Sequence, residues 1–131
     1  MDVFTDISRP YVSGQISGLT PEEYVANFSR GHALLERNGM EPRNPLTVQA
    51  CPTEDCNEYA QKPDGTYLHS WQCYLKYDLI MMMMECDSIA LLPNWNHSKG
   101  SKLELHVARE LDYPILYISR GYKTVTKGVG I

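Results

Sequence analysis

Residues 88–118 read SIALLPNWNHSKGSKLELHVARELDYPILYI, and this stretch decides the fold. Ser88-Ile89-Ala90-Leu91-Leu92 is a short apolar run stopped by Pro93, which predicts a buried strand. Ser98 then stands where a helix N-cap belongs, and apolar spacing carries the helix from Ser98 to Leu111. Pro114-Ile115-Leu116-Tyr117-Ile118 is a second run of strand length. Strand, helix and strand at this spacing predict a βαβ unit and therefore a parallel sheet.

The same grammar continues upstream. Trp71 to Met84 reads as another helix, and Tyr11-Val12 opens a β-like run that ends at Ser13-Gly14. Thr20-Pro21-Glu22-Glu23 is a helix start, with Thr as cap, Pro in the first turn and Glu three residues after the cap. Tyr24, Val25, Phe28, Leu34 and Leu35 supply its apolar stripe until Asn38-Gly39 ends it, and Met40 to Asn44 predicts a short strand. The whole is an α/β fold: one domain over residues 1–131, doubly wound about a mostly parallel sheet of four to five strands. Residues 45–70, with Pro52, Pro63 and an Asp64-Gly65 turn signal, read as a long loop. Ligands of such sheets sit beyond the carboxyl ends of the strands. Here those ends are Gly14-Gln15-Ile16-Ser17-Gly18, the Asn44 region, and Asn94 and Trp95 through Gly100.

Composition narrows the partners. The net charge is −4 and no Lys/Arg cluster stands out, which argues against a nucleic-acid polymer but leaves room for a small nucleotide. The longest apolar run, Leu79 to Met84, is six residues, against the ~20 that a bilayer span needs. With no charged-then-apolar pattern at the N-terminus, a cytoplasmic protein with reduced thiols is expected. None of the four cysteines forms a C-x-x-C pair, and Cys51, Cys56, His69 and Cys73 match no common zinc spacing, so no metal is expected. The dinucleotide fingerprint, the Walker loop and the G-x-S-x-G elbow are all absent.

Two carboxylates stand on faces where carboxylates do not belong. On a helical wheel Leu103, Val107, Leu111 and Ala108 span roughly 140°, and Glu104 falls inside that arc. On the preceding helix Trp71, Tyr74, Leu75, Leu79, Met81 and Met82 fill roughly 160°, and Asp78 lands between Trp71 and Tyr74. A buried carboxylate is costly unless it is paired, neutralised or used. Two of them on helices flanking the Ser88–Leu92 strand predict a shared pocket; Asp87 at the strand's entry is a third candidate that a strand-entry turn explains equally well. Paired carboxylates suit cleavage of a glycosidic bond. Ser98, as cap, would aim backbone N–H groups outward as an anion seat, and Trp95 could stack on a base or simply pack.

Three segments carry a family resemblance. Tyr11-Val12-Ser13-Gly14-Gln15-Ile16-Ser17-Gly18 resembles the opening strand and loop of the nucleoside 2-deoxyribosyltransferase-like superfamily. Asp78-Leu79 with Cys86-Asp87-Ser88-Ile89-Ala90 resembles its next helix and strand, and Ser98-Lys99-Gly100-Ser101-Lys102-Leu103-Glu104-Leu105 resembles its S-x-G-x-x-x-E signature. Within that superfamily the chain looks most like the 2'-deoxynucleoside 5'-monophosphate N-glycosidases. The resemblance implies a Rossmann-like three-layer sandwich and a homodimer or larger homo-oligomer. It implies an enzyme without cofactor in which Glu104 is the nucleophile at the sugar C1', Asp78 assists departure of the base, and Tyr11 holds Glu104 or the sugar. Ser98, Gly14, Ile16, Ser17, Gly18 and Gly100 would line a 5'-phosphate seat. The expected function is hydrolysis of the N-glycosidic bond of a (deoxy)nucleoside 5'-monophosphate. Alternatives are deoxyribosyl transfer between bases, nucleotide binding without turnover, and cleavage of NAD or a signalling nucleotide.

Overall fold

The computed structural model describes residues 6–47 and 71–128. Strand β1 is Pro10–Ser13, helix α1 Pro21–Arg37, helix α2 Trp71–Glu85, strand β2 Ser88–Leu91, helix α3 Lys99–Glu110, strand β3 Ile115–Ile118 and strand β4 Val125–Lys127. The sheet runs β1-β2-β3-β4, with the first three strands parallel and β4 antiparallel on β3. This is the expected α/β sandwich on a mostly parallel sheet.

The layers follow from period-2 alternation along the strands. Val12, Ala90, Leu92, Leu116 and Ile118 face α1 and pack with its Tyr24, Phe28, Leu34 and Leu35. Tyr11, Ile89, Leu91 and Ile115 face the other way, onto Met81 and Met82 of α2 and Leu105 and Ala108 of α3. Helix α1 starts as its sequence directs: the Thr20 hydroxyl accepts from Glu23 N–H at 3.2 Å, and the Glu23 carboxylate accepts from Thr20 N–H at 2.9 Å. It ends at Asn38, followed by Gly39 at φ +83°, a left-handed position that glycine adopts without penalty.

Two expectations are corrected, those for residues 40–44 and for the buried face of α3. The strand over Met40–Asn44 reduces to one parallel bridge between Arg43 and Tyr11, held by Val12 N–H to Arg43 C=O (3.0 Å) and Arg43 N–H to Pro10 C=O (2.8 Å), with Glu41 N–H to Ser8 C=O (2.7 Å) just before it. On α2, Met81 and Met82 of the expected apolar arc are buried, and the next two methionines, Met83 and Met84, are 45% and 79% exposed. The buried face of α3 is Ser101, Glu104, Leu105 and Ala108, with Leu103 and Leu111 exposed. Residues 45–47 form a short 3-10 turn; the rest of the expected loop, with Cys51, Cys56 and His69, lies outside the described residues. Among the described residues, no helix is long and apolar enough to cross a membrane.

The connections also fix where a ligand belongs. From β1 the chain leaves through α1 and returns at Arg43 on one side of β1, whereas β2 lies on β1's other side. Strand β1 therefore marks the point at which the winding reverses, and a crevice opens beyond its carboxyl end.

Candidate active site

A hollow of about 120 Å³ occupies that crevice. It continues into an outer hollow of about 310 Å³, with which it shares Ser17, Ser98 and Gly100. Together they reach the few hundred Å³ of a small-molecule site. The inner walls include Tyr11, Ser13 and Gly14 from β1 and the loop after it, Tyr74, Leu75 and Asp78 from α2, and Ser101 and Glu104 from α3. Buried polar side chains are scarce in the described residues, and Ser13, Asp78, Ser101 and Glu104 all line this one hollow. Of the other two, Asn44 caps a turn through Leu46 N–H and Ser88 donates to Asp87.

Glu104 is the centre of the arrangement. It is 6% exposed, and each carboxylate oxygen accepts a hydrogen bond: Oε2 from the Tyr11 hydroxyl at 2.7 Å and Oε1 from the Ser13 hydroxyl at 2.7 Å. Burial pushes its pKa up to about 7, against the two hydroxyl donors, which favour the ionised form. Such a carboxyl can change charge near neutral pH. Asp78, 8% exposed, enters the same hollow from α2. Both carboxylates that the sequence marks as misplaced are therefore brought to one site.

The first turn of α3 stands where the sequence predicts an anion seat. The Ser98 hydroxyl accepts from Ser101 N–H at 3.0 Å, and the Ser98 carbonyl accepts from Lys102 N–H at 3.1 Å. The helix's amino end, with its partial positive charge, faces the outer hollow, which Gln15, Ser17, His97, Ser98, Lys99 and Gly100 line. Gly14 is required where it stands: a Cβ there would come within 2.5 Å of Leu92 Cδ1 and 2.9 Å of its Cγ.

Other expected site residues fall outside the hollow. Asn94 works one step back, its Oδ1 accepting from Gln15 N–H at 3.1 Å and so tying the loop after β1 to the loop after β2. Gly18 sits at φ +88° in the turn before α1 and lines neither hollow. Trp95 packs with the core under α2 and α3, edge-on to Tyr117 at 6.4 Å, so its ring has a structural neighbour rather than a place in the hollow. Asp87 is at the opposite, amino end of β2, where its carboxylate accepts from Ser8 N–H (2.9 Å), Arg9 N–H (3.0 Å) and the Ser88 hydroxyl (3.0 Å). It is a strand-entry clasp. Asp87→Ala is expected to lower stability by about 1–2 kcal/mol, read from a denaturant titration, since two backbone donors lose a charged acceptor.

Sequence reasoning missed Ser13 and Ser101. A signal existed for both: Ser13 is two residues from Tyr11 on one strand face, and Ser101 is three residues from Glu104 on one helix face. Among the described residues no cluster of metal-ligating side chains occurs, and Cys86 is a free thiol. Burial pushes the Cys86 thiol up to about 12, which leaves it a packing residue.

The fold and the site define an α/β protein with a carboxylate pair at its winding reversal. The chain belongs to the family described as a domain of unknown function, DUF4406, whose profile matches residues 8–117. No curated protein and no solved structure matches it.

Proposed function

We propose that this protein cleaves the N-glycosidic bond of a (deoxy)nucleoside 5'-monophosphate through Glu104. The observation that carries the reading is the meeting of Asp78 and Glu104 in one buried hollow next to the capped amino end of α3. The likeness of the Tyr11–Gly18, Asp78–Ala90 and Ser98–Leu105 segments to the nucleoside 2-deoxyribosyltransferase-like superfamily supports it. In this reading a Glu104 oxygen attacks C1' and the bonding pair of the C1'–N bond passes to the base, which takes a proton from Asp78. Water, deprotonated by the Asp78 carboxylate, then opens the glycosyl ester and frees Glu104. The outer hollow and the Ser98–Gly100 turn receive the 5'-phosphate.

The test is chromatography of free base after incubation with a panel of nucleosides and nucleoside monophosphates. Base should appear from at least one 5'-monophosphate and not with Glu104→Ala; identical traces for the two proteins on every substrate would end the reading. Because only ionised Glu104 can attack, kcat/KM should rise with pH through about 7, and it should fall again at higher pH once Asp78 has lost the proton it must give to the base. A profile flat from pH 5 to 8 would remove Glu104 from the nucleophile's role.

A further inference from the structure

We infer that Ser13, itself held by Ser101, is a positioning residue for Glu104, fixing the orientation of its carboxylate toward the hollow. The geometry is a continuous chain across two elements that are distant in sequence. Ser13 Oγ lies 2.7 Å from Glu104 Oε1 and 2.8 Å from Ser101 Oγ, and both serines are 1% exposed. Each hydroxyl has a single proton. An ionised Glu104 has none to give, so the Ser13 proton goes to Oε1 and Ser101 must donate to Ser13. Tyr11 occupies Oε2 in the same way. The carboxylate is thereby gripped at both oxygens, one from β1's aromatic side chain and one from a hydroxyl pair between β1 and α3.

Simple packing does not account for the pair. Two buried hydroxyls facing each other cost desolvation that an alanine and a valine would avoid, and the pair ends on Glu104, the one buried glutamate among the described residues. The chain also has a direction that depends on charge. When Glu104 takes a proton on Oε1, that oxygen becomes the donor, Ser13 turns its own proton toward Ser101, and Ser101 must donate elsewhere. Breaking the chain should therefore disfavour the ionised carboxylate selectively.

The assignment of a task to this grip rests on the glycosidase reading, but the grip itself is measurable without turnover. In protein labelled at the glutamate carboxyl carbon, the Glu104 resonance is identified by its loss in Glu104→Gln and followed against pH. Ser13→Ala should move its titration midpoint up by about one pH unit, the shift expected on losing one hydrogen bond to a charged group. Ser101→Ala should move it in the same direction by less, and Ser13→Cys, which keeps a weaker donor, should fall between wild type and Ser13→Ala. If Ser13→Ala does not melt cooperatively, the other two variants decide the matter. The acid limb of base release should shift with the midpoint. Midpoints unchanged within 0.2 pH unit in every folded variant would overturn the inference, and base release by wild type would then still stand for the glycosidase. A shifted midpoint with no base released from any nucleotide would keep the positioning of Glu104 and discard the reaction.

Discussion

Glu104→Gln should melt at a higher temperature than the wild type at pH 8 while releasing base at least about 10³-fold more slowly. The loss follows from the nucleophile's role, because an amide cannot form the glycosyl ester and only binding and leaving-group assistance remain. The gain follows from burial. Glu104 has a folded-state pKa of about 7 against an ordinary 4.5. The folded chain therefore holds the proton more tightly than the unfolded chain does. Its contribution to stability is fully present below the unfolded value, declines as pH rises between 4.5 and 7, and is gone above that.

At pH 8 the buried charge costs on the order of 3 kcal/mol, so glutamine of the same shape should recover about 1–3 kcal/mol. The hydrogen bonds survive the exchange: Tyr11 can donate to the amide oxygen, and Ser13 can accept from the amide nitrogen while donating to Ser101. A rise in Tm of about 3–10 °C is expected at pH 8, shrinking toward zero at pH 5. Equal melting temperatures at pH 8 would mean that the carboxylate is better solvated than its place between β1 and α3 implies.

How far the sequence discloses this site depends on the kind of residue. Glu104 is legible because a carboxylate among apolar helix positions breaks a strong pattern, and Asp78 is legible for the same reason. The pattern itself is misplaced on α3. A wheel that counts serine as polar puts the apolar face around Val107, whereas the buried face is turned by roughly 80° toward Ser101. Glu104 falls in both arcs, so its anomaly stands even where the face does not. The grip on Glu104 was harder to see. Ser13 and Ser101 are 88 positions apart, and serine is ordinary both in a strand and in a first helical turn. Only the meeting of β1 with α3 makes them a pair. Strand β4 lacked a signal of another kind: Val125–Lys127 is three residues long, with two of them exposed, and its pairing is supplied by β3 rather than by its own apolar content. Asp87 is the open case, since chemistry and a strand-entry turn explain its sequence position equally well. A carboxylate beside a buried strand invites a chemical role, yet here it answers the backbone donors of Ser8 and Arg9.

Asp78→Asn separates the two carboxylates' tasks. If Asp78 delivers a proton to the departing base, its loss should slow release of an ordinary purine or pyrimidine by about 10²–10⁴-fold, the usual scale of general acid catalysis. The same variant should lose less than about tenfold on a nucleotide whose base is already cationic, such as an N7-methylated purine. That base leaves as a neutral molecule once it takes the bonding pair, so no proton is needed at the moment of departure. Glu104→Gln offers the contrast, since attack at C1' is required whatever leaves, and its loss should be large on both substrates. Release of base from the two nucleotides under single-turnover conditions measures this directly, because it isolates the first chemical step from opening of the ester. Equal losses for Asp78→Asn on both substrates would assign Asp78 to holding the nucleotide rather than to moving a proton. Its entry into the hollow from α2, across from Glu104 on α3, would then serve to place the sugar, and the proton would have to come from solvent.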